Sequence, residues 1–141
     1  MAKSKESFMI NRPKDEVYRF LSDPASVGDC LSFVEATEEN EGLRWQVKSP
    51  MSTITATNSL ALEFRAAPEG EIEWHGQGSH LETRGQIILR ESAEQETEAE
   101  FTLGMTGLGP MSIVIEPLAS VQISNQIAYF AACLRGKLET N

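Results

Sequence analysis

The chain has 141 residues, 40% hydrophobic and 23% charged, with a formal net charge of −9. That length suits one domain, here residues 1–141, burying ~68% of its unfolded surface around one core, and the composition is globular rather than disordered. The acidic excess repels phosphate backbones and anionic lipid heads, so nucleic acid and generic membrane binding are disfavoured, and no run of ~18 apolar residues offers a stable membrane span.

In chain order, "KESFMIN" alternates as a short strand and ends at Asn11-Arg12-Pro13. "NRPKDEVYRFLSD" then carries helix-start signals, with Pro13 near the first helical position, Asp15 and Glu16 in the first turn, and Val17, Phe20 and Leu21 on one stripe. Asp23-Pro24 stops it, and "PASVGDC" predicts a second short helix ending near Gly28. From Leu31 to Met105 the period is two. Leu43, Trp45 and Val47 share one face; "STITATNSLALEFR" is read as a strand with Ile54, Ala56, Leu60, Leu62 and Phe64 inward. Ile72, Trp74, Gly76 and Gly78, then Leu81, Thr83, Gly85, Ile87 and Leu89, then Ala99, Phe101, Leu103 and Met105 extend the same pattern. Such alternation predicts an antiparallel meander with one dry and one wet face.

The last apolar stretch, "GLGPMSIVIEPLASVQISNQIAYFAACLRG", is read as a long helix. With Ile127 at the centre of a helical wheel, Ile123, Phe130, Ala131, Leu134 and Leu138 share its face, whereas Val114, Leu118 and Val121 lie on the other side. Pro117 either starts the main helix, where its missing N–H costs nothing, or kinks one longer helix; the first is preferred. A single-faced sheet must bury its dry side, and only this helix is long enough to cover it. Cys30 and Cys133 show no CxxC spacing and are read as free thiols in a reducing compartment. With no signal-peptide pattern at the start, a cytoplasmic location is expected.

Two segments, "SFMINRPKDEVYRFLSDPASVGDCL" and "GMTGLGPMSIVIEPLASVQISNQIAYFAACLRGKLE", resemble the START-like superfamily, also called SRPBCC or helix-grip proteins. The first follows its strand, Pro-x-x-x-Val and Asp-Pro order. The second follows its Gly-Pro, Glu-Pro-Leu and long-helix order. The resemblance implies an α+β helix-grip fold: a curved antiparallel sheet of six to seven strands around a long C-terminal helix, with two short helices after the first strand. Within the superfamily the chain looks similar to polyketide cyclase/dehydrase-like proteins and to the G-type subunit of carbon monoxide dehydrogenase. The latter commonly carries Cys-[Leu/Ile]-Pro-Gly, where this chain has Cys30-Leu31-Ser32-Phe33. The resemblance also implies a cavity between sheet and helix for an apolar small molecule or lipid.

The expected lining is Trp45, Ile54, Asn58, Phe64, Trp74, Ile87, Phe101, Met105, Ser120, Ser124, Ile127 and Ala131. Asn58, Ser120 and Ser124 are the polar members, able to orient an apolar ligand. The same serines would otherwise bond their own helix carbonyls, and a bulge would turn Asn58 outward. Gly76, Gly78 and Gly85 either leave room for a ligand or let the sheet bend. His75 falls on the wet face and His80 at a turn, with no HExxH or cysteine ligand, so no metal is expected. A Ser/His/acid triad lacks a nucleophile elbow, and Glu82, Arg84 and Arg90 face solvent. No cofactor or catalytic residue is indicated. The expected function is carriage of an apolar molecule, ahead of a cyclase/aromatase-type enzyme or an accessory of a carbon monoxide dehydrogenase-like oxidoreductase.

Overall fold

The computed structural model describes residues 2–139, with the side chains of Ala2, Met111 and Ser124 outside the described set. The order is β1 (Ala2–Ile10), α1 (Lys14–Leu21), α2 (Pro24–Asp29), β2 (Val34–Glu38), β3 (Arg44–Val47), α3 (Met51–Thr55), β4 (Ser59–Ala67), β5 (Glu71–Gln77), β6 (Leu81–Ala93), β7 (Glu96–Gly107), a 3-10 turn (Gly109–Met111) and α4 (Ser112–Leu138). The strands form one antiparallel seven-stranded sheet in the order β1-β7-β6-β5-β4-β3-β2. Strands β2 to β7 are a meander; β1 closes the far edge by pairing along β7.

Local chemistry explains most boundaries. Pro13 precedes α1, whose first turn holds Asp15 and Glu16 and whose last holds Arg19, all favourable to the helix dipole. Asp23 caps α2 by accepting a hydrogen bond from Ala25 N at 3.0 Å, with Pro24 at the first helical position. Along β6, Leu81, Thr83, Gly85, Ile87 and Leu89 are buried alternately; along β7, Ala99, Phe101, Leu103 and Met105. The outer face carries ion pairs such as Arg84–Glu82 at 3.0 Å and Lys5–Glu100 at 3.5 Å.

Gly107 ends β7 because α4 starts directly on it: a Cβ there would press on Ile115 and on the Ser112 backbone. Gly107 N also donates to Glu116 Oε1 at 3.1 Å, which fixes the approach of the helix. Helix α4 then packs on β7 and β1 through Ile115, Ala119, Ile123, Ile127, Phe130 and Leu134. At its far end Arg12 donates to Leu138 O at 2.6 Å and Arg135 to Met9 O at 3.1 Å, latching it to β1 and the turn that follows.

The structure corrects three expectations. Residues Met51–Thr55 form a short helix rather than strand, closed by Ala56 in the left-handed region (φ 54°). That turn breaks the period: Thr55 and Thr57 are buried, while Ile54 is 39% exposed and Asn58 is exposed. Pro117 lies inside one continuous helix rather than at its start. The carbonyl that loses its partner belongs to Ile113, a residue 83% exposed, so solvent can take the bond. Finally, Cys30 and Cys133 are not free thiols but a disulfide across 103 residues, joining the end of α2 to α4.

Gly85 separates the two roles expected of the inward glycines. Its missing side chain is replaced by the Trp74 indole of the neighbouring strand, and the space at Gly78 is taken by Thr57. The room is used by packing, not left over. Gly85→Ala would drive a methyl into the indole and is expected to destabilise the fold by ~1–3 kcal/mol, read by denaturant unfolding and a change in tryptophan fluorescence. Unchanged stability would mean that Trp74 does not sit there.

Candidate functional site

The space between sheet and α4 is apolar and aromatic. Trp45 on β3 meets Trp74 on β5 edge-on at 5.7 Å; Trp74 meets Phe101 on β7 at 5.7 Å; Phe101 meets Phe130 of α4 at 4.7 Å. Phe64 stacks on Trp74 at 6.3 Å and is half-buried. Trp45, Ile87, Phe101 and Met105 are 0% exposed, with Trp74, Ile127 and Ala131 at most 5%. Eight of the expected lining residues therefore line the sheet–helix seam. Ile54, Asn58 and Ser120 do not: the first two follow from α3, and Ser120 lies on the solvent side of α4. The Ser124 side chain lies outside the described residues.

Among the described side chains of α4, the polar residue that is buried is instead Gln126, 1% exposed. Its Oε1 accepts from Ser32 N at 3.3 Å and Ser32 Oγ at 2.6 Å, while Gln122 Nε2 donates to the same hydroxyl at 2.8 Å. Two glutamines one turn apart thus straddle Ser32, two residues beyond the disulfide at Cys30. The helical wheel already contained this signal, because Gln126 falls one turn before Phe130.

The N-terminal half of α4 is apolar on both sides. Ile115, Ala119 and Ile123 point into the core, while Ile113 (83% exposed), Val121 (68%), Val114 and Leu118 point to solvent. Glu116 is the only charged residue between Ser112 and Leu134.

The outer face of the sheet carries a separate open trough of about 560 Å³, bordered by Lys3, Glu63, His75, Glu82 and Arg84. His75 stands on the wet face as its phase requires, with Nε2 at 3.1 Å from Glu82 Oε1 and Nδ1 at 3.9 Å from Glu63 Oε1. Among the described residues no group of three or more His, Cys, Asp or Glu is placed to hold a metal ion. Likewise, no described helix is long and apolar enough to cross a membrane.

The family profile of CoxG, the G-type subunit of carbon monoxide dehydrogenase, matches residues 7–139. The chain belongs to that family. This CoxG family member also superposes on several solved structures, one of them a START superfamily protein. A conserved protein from Geobacillus kaustophilus is 14% identical with a TM-score of 0.75, over 97% of this chain and 95% of that one. A START superfamily protein from Mycobacterium smegmatis is 13% identical with a TM-score of 0.72, over 99% and 98%. The Zhui aromatase/cyclase from a Streptomyces species is 12% identical with a TM-score of 0.72, over 97% and 93%. At these identities the likeness speaks for the helix-grip fold. No curated protein matches the sequence of this CoxG family member.

Proposed function

We propose that this protein binds and carries an apolar small molecule or lipid between its sheet and α4, without transforming it. The observation that carries this reading is the two-sided apolar character of the first half of α4, interrupted by Pro117. A helix that only sealed a core would need one apolar face. The first half of α4 covers part of the sheet through Ile115, Ala119 and Ile123, and its hydrogen-bond ladder is the one broken at Pro117, so it is the weakest part of the cover. The seam is closed, with its central side chains 0–5% exposed, so entry requires this segment to part from β7. Burial of apolar guest surface would then drive binding at ~25 cal/mol per Å2.

The carrier reading is favoured over a cyclase because the buried polar residues among those described are four threonines and Gln126. None is a carboxylate, imidazole or amine suited to moving protons. The family description favours a second, compatible reading, an accessory of a carbon monoxide dehydrogenase-like oxidoreductase, with the exposed α4 stripe as the surface a protein partner meets.

Native mass spectrometry of the purified chain, with solvent extraction and a panel of lipids and polyketide-like compounds, tests the carrier reading. An extractable adduct or saturable binding is expected. Pro117→Ala, which restores the missing N–H, should stabilise the protein by ~1–3 kcal/mol and slow uptake. No adduct and no binding across the panel would overturn the proposal.

A further inference from the structure

Among the described residues, side chains more than nine-tenths buried satisfy their polar atoms with two exceptions. Thr55 donates to Met51 O at 2.8 Å, Thr83 to Gly104 O at 2.9 Å and Thr97 to Arg12 O at 2.8 Å; Thr57 accepts from His80 N at 3.0 Å. The Trp45 indole donates to Pro24 O at 3.3 Å. Trp74 Nε1 and Gln126 Nε2 have no partner, and each sits on a side chain more than nine-tenths buried. The other buried atoms without a hydrogen-bond partner belong to half-buried residues: Thr37, which lies across from Trp45, and His75 and His80, with His75 Nε2 facing Glu82.

Both exceptions are donors. An indole nitrogen can only donate, and so can an amide nitrogen. The Gln126 amide is oriented by Ser32, whose N–H and hydroxyl both occupy Oε1, so the NH2 end is the one left over. A buried donor without an acceptor costs about 1–3 kcal/mol. The two flank one row: Trp74 reaches Phe130 through Phe101, and Gln126 lies one turn before Phe130 on α4.

We infer that Trp74 and Gln126 are the polar anchors of the guest, and that the guest is a neutral apolar molecule presenting acceptor oxygen of the carbonyl type. This rests on the carrier reading above and narrows it. No Lys, Arg or His is among the buried residues described, so a carboxylate or phosphate drawn inside would be an unpaired buried charge. A plain hydrocarbon would leave both donors unmet.

The test uses the intact oxidised chain and three matched probes: 2-acetylnaphthalene, 2-isopropenylnaphthalene and 2-naphthoate, titrated by calorimetry. The ketone is expected to bind roughly 3- to 10-fold tighter than the hydrocarbon, and the anion weakest, as one hydrogen bond and one buried charge dictate. Trp74→Phe, which keeps the ring and loses the N–H, should erase most of that preference. A second readout does not depend on the variant folding. The chain has two tryptophans, so the indole N–H resonances number two. The ketone should shift the Trp74 signal downfield and leave that of Trp45, already bonded to Pro24, in place. Equal binding of ketone and hydrocarbon, tighter binding of the anion, or an unmoved Trp74 signal at saturation would overturn the assignment while leaving the carrier reading intact. Absence of binding by all three probes would remove both.

Discussion

Phe130→Ala is expected to cost ~3–5 kcal/mol of stability, the range for deleting a fully buried aromatic side chain. Phe130 is 0% exposed and is the point at which α4 enters the aromatic row, edge-on to Phe101 at 4.7 Å. Its removal leaves a cavity beside the Phe101 ring, which closes only if α4 shifts toward β7. Chemical denaturation of wild type and variant measures the loss. Phe130→Leu should recover much of it, since most of the volume returns. A loss below ~1 kcal/mol would mean that the helix does not rest on the sheet at this ring.

Breaking the Cys30–Cys133 bond is the other large effect, an expected loss of ~2–5 kcal/mol for a loop of 103 residues. Wild-type protein should unfold at lower denaturant in dithiothreitol, whereas Cys133→Ser should start from the lower value and ignore the reductant. Two titratable thiols in the native protein would contradict the pairing. The bond and the Gln122–Ser32–Gln126 hydrogen bonds tie the same stretch of chain to neighbouring turns of α4, so the loss should be greatest when Ser32→Ala is added. Residues in such mutual contact are not expected to contribute additively.

Residue order reveals whatever repeats often enough to show its period. Strands β6 and β7 run for 13 and 12 residues with clean alternation, and their inward sets stand as expected. Helix α3 has only five residues, too few for a 3.6-residue period to declare itself, and "STIT" mimics a strand because polar and apolar residues happen to alternate. That mimicry is what turns Ile54 and Asn58 inward on paper. The disulfide leaves no local trace, because one half sits just past the end of α2 and the other inside α4, 103 residues apart in sequence. Gln126 is legible by wheel arithmetic, but a long amide side chain on an apolar face gives no sign in sequence of the Ser32 hydroxyl that holds it there.

The pairing of β1 with β7 bears on how the chain reaches its native state. Residues 2–10 must wait for residues 97–105 before they have a partner. During synthesis the first strand therefore emerges from the ribosome well before its neighbour, and α4, which covers the apolar side, comes last of all. Such distant pairings slow folding and leave hydrophobic strands uncovered in the meantime. Newly made chains should therefore be sensitive to crowding and chaperone supply in a way that the completed protein is not.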